Sequence, residues 1–295
     1  MKKILNIAVA VVVLFAACNR VTPEPEPVPT PPEPEKMPIA ITRAATSESE
    51  FQNGDMVGLY VVNYDGDFAG SLATNGNYVD NMRVTYYQGI WTPLQPIYWL
   101  DTDTKADFYC YYPYCDKITD VSKFNVSVEE DQSSLGAYRT SDFLWGKVSG
   151  VKPTPEPVEV TLDHKMSRLV VSLVAGNGYS DSDLATAGVM ICSVKTGAQI
   201  NLATGVVSPT GNASEVRPYA DGETFCACLV PQTISDADFV KIILGDRTYI
   251  LKQSLTLEAG KQHKCTITLS KTDQGINVGI SDWIIDDVDY GGIVE

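Results

Sequence analysis

Short runs of β-branched and aromatic residues recur along most of this chain, and clusters of Gly, Asn, Asp and Pro separate them. The runs at 56–64, 82–87, 107–112, 158–162, 169–174, 189–194, 224–230, 240–244, 248–251 and 264–269 each predict a strand. Period-two alternation is clean in several. Cys265, Ile267 and Leu269 face one way, with Lys264, Thr266 and Thr268 facing the other. Phe225, Ala227 and Leu229 share a face on their own strand. A helical period is scarce, and its best candidate, Ser180 to Ala187, makes a turn or two. A pattern of this kind specifies an all-β chain of sandwich type.

The first 38 residues are different in kind. Lys2 and Lys3 precede an apolar run from Ile4 to Phe15, and Phe15-Ala16-Ala17-Cys18 follows. A basic start, an apolar core and small residues before a cut define a secretory signal peptide. A cysteine at the cut makes it a lipoprotein signal, with Phe15 in place of the usual Leu. Residues 1–17 are then the signal, and Cys18 becomes a lipidated mature N-terminus held at a membrane. The apolar run falls short of the roughly 20 residues that a span requires, and no later segment comes near that length. The strand runs lack the regular ten-residue spacing of an outer-membrane barrel. Residues 18–38 carry a proline–glutamate tether, which favours an extended polyproline spacer.

About 250 of the 295 residues remain, enough for one large or two ordinary domains. A second proline cluster at 151–157 reads either as a hairpin loop or as a joint. Placing the boundary there gives β-domains at 39–157 and 158–295. The formal charge of −15 repels phosphate backbones and argues against a nucleic-acid partner.

Lipidation of Cys18 leaves six of the seven cysteines. Cys226 and Cys228 stand two apart on one strand face and cannot easily bridge each other. Cys192 and Cys265 sit in apolar strand patterns and read as small core residues. Cys110 and Cys115 flank Tyr111 to Tyr114, and a local bridge is open there. No C-x-x-C pair points to zinc.

Motifs that carry catalysis are missing: no G-x-S-x-G, no P-loop, no G-x-G-x-x-G and no H-E-x-x-H. His164 and His263 have no His or Cys at ligand spacing and read as structural or surface residues. Asp101-Thr102-Asp103-Thr104-Lys105 starts like a calcium loop and fails at Lys105, so a turn is expected. Asp286, Asp287 and Asp289 read as a solvated acidic turn. Trp91, Trp99, Trp145 and Trp283 either stack sugars or fill a core, and their strand-like surroundings favour the core. No cofactor is indicated, and a non-enzyme is expected.

The order of motifs resembles one family. After Cys18 and the tether come Ile41-Thr42-Arg43-Ala44 and Phe51-x-x-Gly54-Asp55-x-Val57-Gly58-Leu59-Tyr60. Then follow Pro96-Ile97-Tyr98-Trp99, Ala106-Asp107-Phe108-Tyr109 through Tyr114, and Asp142-Phe143-Leu144-Trp145-Gly146. Val160-x-Leu162-x-His164-x-Met166-Ser167-Arg168-Leu169 opens the second half. This is similar to the fimbrillin family, the type V pilus subunits of Bacteroidales, most strongly over residues 1 to about 170.

The resemblance implies an outer-membrane lipoprotein precursor with two tandem transthyretin-like β-sandwich domains. It implies a cut by an arginine-specific protease between Arg43 and Ala44, which removes lipid, tether and first strand together. A strand from another subunit then fills the groove, and its side chains alternate into it. Ile39 and Ile41 alternate as a removable first strand requires. The donor candidates in this chain are Ile276, Val278 and Ile280. The partners implied are other fimbrial subunits, the outer membrane through Cys18, and a ligand on a host or bacterial surface if there is one. The destination is an extracellular fimbrium. Stalk, tip and anchor roles stay open, as does the alternative of a surface glycan-binding lipoprotein. A buried first strand beside a self-paired C-terminus is the arrangement expected of an unassembled precursor.

Overall fold

Eighteen strands and two short helices make up the described residues, which are 35–43, 50–271, 278–280 and 285–286 of a computed structural model. In chain order the first half holds β1 (Ile39–Arg43), β2 (Met56–Asn63), β3 (Val79–Tyr87), β4 (Ile90–Pro93), β5 (Ala106–Tyr112), β6 (Phe124–Ser127), α1 (Leu135–Thr140), β7 (Leu144–Val151) and β8 (Val158–His164). The second half holds β9 (Ser167–Ala175), α2 (Asp181–Leu184), β10 (Gly188–Asn201), β11 (Val206–Val216), β12 (Tyr219–Asp221), β13 (Thr224–Leu229) and β14 (Gln232–Leu244). It continues with β15 (Arg247–Leu257), β16 (Gln262–Leu269), β17 (Val278–Ile280) and β18 (Ile285–Asp286). The fold is all-β, as the alternation specified.

A seven-stranded sheet in the order β1-β8-β7-β5-β2-β3-β4 forms the first half. Its alternation is visible in the packing. Val57, Leu59 and Val61 of β2 turn into one core with Val84, Trp91, Phe108 and Val160. Tyr60 and Val62 turn to the opposite face, against Phe124 of β6 and Ile200 of β10. Both faces of the central strands are therefore buried, which explains why β2 and β5 read as near-continuous apolar runs. The proline cluster at 151–157 is the hairpin connection between β7 and β8, antiparallel neighbours in this sheet that pair Leu144 with His164. The first sheet thus runs on to His164.

Two sheets enclose the core of the second half. One has the order β11-β10-β14-β15, with β6 pairing β10, and the other has β12-β13-β9-β16-β17, with β18 also on β16. Val171 of β9 and Cys265 and Ile267 of β16 face Ile191, Phe239, Val240 and Tyr249 across that core. Sheets packed face to face in this way make a β-sandwich. The two halves share the third cluster, where Tyr109 and Tyr111 of the first sheet meet Ala198 of β10 and Leu202 just beyond it. The described residues all fall in one compact unit.

Two of the polar side chains drawn into this interior are matched by several partners each. Gln132 is fully buried, donates to the Glu129 and Cys228 carbonyls and accepts from the Cys228 amide. Asp107, also buried, takes Lys147 at 3.1 Å and the Gly150 amide at 2.8 Å. Burying such groups without partners costs a few kcal/mol each, which is why they come in sets.

Candidate functional site

The site grows from the edge of the first sheet. β1 has one ladder neighbour, β8, and lies parallel to it from Ile39↔Val158 to Arg43↔Leu162. The Trp91 indole of β4 donates to the Ile41 carbonyl at 2.8 Å. The sheet therefore curls until its two edge strands approach, and β1 closes the gap. Residues before β1 add to the seal. The Met37 amide donates to the Ile97 carbonyl at 2.9 Å, and the Trp99 amide to Glu35 at the same distance.

A strand period of two puts Ile39, Ile41 and Arg43 on one face. Ile41 is 5% exposed in the core of the first sheet, and Ile39 packs against it. Arg43 ends the row with a charge. Its Nη2 donates to Asp142 Oδ2 at 3.0 Å, and its guanidinium lies 5.0 Å from the Phe51 ring centroid and 5.7 Å from that of Tyr112. The two charged side chains are only 13% and 17% exposed. Asp142 also meets His164 Nδ1 at 2.9 Å. The Tyr112 hydroxyl donates to Asp55 at 3.2 Å. Burial pushes that hydroxyl up to about 12, with Asp55 adding to the shift and Arg43 opposing it.

A pocket of about 510 Å³ opens beside this cluster. Arg43, Glu50, Asp55, Tyr112, Asp142 and His164 line it, together with Ser167, Arg168, Cys226 and Lys261. Arg43 Nε, His164 Nε2 and Ser167 Oγ are buried there without hydrogen-bond partners. The wall mixes apolar side chains, Leu135 and Met166 among them, with charges of both signs.

Each residue singled out in the sequence has a definite place or lies outside the described residues. Cys18, Ala44 and Ile276 are outside them. Arg43 is the last residue of β1. Val278 and Ile280 fall in β17, where their backbones pair with Leu269 and Ile267 of β16. Trp91 and Trp99 are buried, and each donates to a backbone carbonyl, Trp99 to Thr154. Trp145 is half-buried and donates to Leu202 at 2.7 Å. These three indoles are parts of the packing, and Trp283 lies outside the described residues. His263 is buried, with its Nε2 accepting from the Glu258 amide at 3.1 Å.

Asp101 caps its own turn, accepting from the Asp103 and Thr104 amides. The six cysteines among the described residues carry free thiols, Cys110 and Cys115 included. Burial pushes the Cys110 thiol far up. Among the described residues no group of three or more His, Cys, Asp or Glu is placed to hold a metal ion.

Two functional residues escaped the sequence reading. Asp142 stood there as part of an aromatic motif, and His164 as a residue beside Asp163. The ring turns instead to Asp142, 22 residues away. The available signal was Arg43 itself: a cation closing an alternating apolar strand requires a carboxylate nearby.

Comparison with known proteins bears on the same region. A family model described as fimbrillin-like matches residues 42–283. A Bacteroides uniformis protein named as a candidate fimbrium subunit is 26% identical over 254 residues, 80% of each chain. The solved structure of a candidate cell adhesion protein from Bacteroides uniformis has a TM-score of 0.65 at 25% identity, covering 83% of this chain and 96% of that one. Another, from Bacteroides ovatus, has a TM-score of 0.63 at 18% identity and covers 86% and 99%, a likeness of fold.

Proposed function

The chain belongs to the fimbrillin-like family, and on that premise we propose that it is a structural subunit of surface fimbriae, stalk or tip, with no catalytic role. It is exported as a lipoprotein on Cys18 and assembled by strand exchange after a cut between Arg43 and Ala44. Its two β-sandwich domains are taken to meet near the β8–β9 connection. Its partners are other fimbrial subunits.

The observation that carries this reading is the double character of β1. It is an edge strand with a single ladder partner, and it also fills the core with Ile41. Its removal exposes both the unpaired groups of β8 and an apolar slot, the two features that strand addition uses. The basic residue that an arginine-specific protease requires sits at the strand's last position. The pairing of β17 with β16 supports the state before assembly, in which the chain keeps its own C-terminal strand.

The test is to incubate the purified precursor with an arginine-specific protease. Truncation to a chain beginning at Ala44, followed by growth of large assemblies, is expected. Resistance of the Arg43–Ala44 bond in the folded protein overturns the stalk and tip roles and leaves a lipid-held anchor.

A further inference from the structure

We propose that the slot vacated by β1 selects by charge: it takes a strand from a different fimbrial chain that carries Arg or Lys at the Arg43 position, and it rejects this chain's own C-terminal segment. The inference rests on the strand-exchange reading and names the partner which that reading leaves open.

Departure of the residues up to Arg43 leaves several groups behind. Asp142, at 17% exposure, loses the donor held at 3.0 Å. His164 Nδ1 stays beside Asp142 at 2.9 Å, but it does not reach the place the guanidinium held. Glu50 and Asp55 line the same pocket, and Arg139, Arg168 and Lys261 also stand in its wall. The Phe51 and Tyr112 rings, which now flank the guanidinium, are left facing empty space. A half-buried carboxylate between two aromatic faces is a receptor for a cation. An apolar residue placed there would bury Asp142 further without compensation, and an acidic one would repel it.

The slot therefore reads three alternate positions. Two are apolar, where Ile39 and Ile41 sit, and the third is basic. Specificity of this kind comes as much from what the charge excludes as from what it attracts.

This chain's C-terminal segment fails the test in either direction. Its alternating row is Ile276, Val278, Ile280 and Asp282. Laid along β1 with Val278 and Ile280 in the apolar positions, it puts Asp282 against Asp142. Reversed, it puts Ile276 there. Residues 272–295 contain six Asp and Glu and no Lys or Arg, so a shift of register does not rescue the match. The backbone of 278–280 is also engaged with β16 of its own sheet. A homopolymer built through this slot is thereby disfavoured, and a second chain with a basic residue is called for.

The experiment uses the full chain with a specific protease site built into 44–49, so that the nick does not depend on Arg43 being cut. Release of the N-terminal fragment is followed as synthetic peptides compete for the slot. The peptides are residues 36–43 as they stand, the same with Arg43→Lys, Arg43→Ala or Arg43→Glu, and residues 275–284. The Arg and Lys peptides are expected to displace the fragment at similar concentrations. The Ala peptide should need about tenfold more, and the Glu and C-terminal peptides more still. In a nicked Asp142→Asn chain the preference for Arg over Ala should fall to about twofold or less.

Equal competition by the Ala peptide, or competition by residues 275–284 as strong as by the Arg peptide, overturns the proposal while leaving strand exchange intact. If no peptide displaces the fragment, residues 36–43 included, strand exchange itself fails and the proposal falls with it.

Discussion

Arg43 and Asp142 lie 99 residues apart in the chain and meet at 3.0 Å. The contact ties the last residue of the edge strand to the residue pair that leads into β7. It places inside the protein the side chain that the proposed cut would require a protease to engage. Cutting after Arg43 thus requires the end of β1 to lift from Asp142 first.

Replacing Asp142→Asn should loosen that end. The charged hydrogen bond is lost and the guanidinium stays half-buried, a cost of about 1–3 kcal/mol in denaturant unfolding. Cleavage after Arg43 should accelerate, by about tenfold for each 1.4 kcal/mol by which local opening becomes easier. A time course with an arginine-specific protease reads the rate. An unchanged rate means the contact does not guard the bond.

Trp91→Phe leaves a smaller aromatic ring in this buried place and removes the Nε1 donor that holds the Ile41 carbonyl at 2.8 Å. A loss of about 1–3 kcal/mol is expected from the missing bond and the gap together. The local signature matters more than the total. Amide exchange along 39–43 should quicken relative to β5 in the sheet centre, because the lost bond is one of the few that β1 makes outside its ladder.

Gly146→Ala tests the neighbour of β8. A methyl group at 146 would collide with the Thr161 carbonyl, a backbone atom that cannot swing away. The β7–β8 contact has to open, at a cost of about 1–3 kcal/mol. Since β8 is the ladder partner of β1, the change should also release the first strand. A thermal melt together with proteolysis of the same variant checks both effects.

His263 carries a pH dependence. Burial, with Lys261 contributing and Glu258 opposing, holds its imidazole below the ordinary value of 6.5. The unfolded chain then binds more protons than the folded one just below 6.5, so stability rises with pH there and falls as the medium is acidified through that value. Protonation also removes the acceptor that the Glu258 amide uses. His263→Gln should flatten this part of the stability profile, measured by denaturant unfolding against pH. An unchanged slope would locate the dependence elsewhere.

Much of the fold was legible because its strands alternate against cores. Each of the ten runs read from the sequence lies on a strand of the structure, and the short helix at 180–187 is α2. What escaped has physical reasons. β11 is polar on both sides, contains Pro209 and is held chiefly by its ladder to β10, so no apolar face announces it. α1 buries no residue and is six residues long, with Ser134 as its cap. The proline cluster at 151–157 reads equally as a joint or a turn, and only pairing across it decides that β7 and β8 share a sheet.

The site was half legible. Ile39, Ile41 and Arg43 follow from alternation and from the resemblance of the surrounding motifs. Asp142 and Trp91 do not, because each reaches β1 across a sequence gap that no local pattern spans.

The most direct measurement is the N-terminus of this subunit in fimbriae sheared from cells. That terminus is expected to be Ala44, unmodified, with residues 1–43 gone. A lipid-modified Cys18 at the start of the assembled subunit would contradict it, since the first strand would then still occupy the slot that assembly is held to use.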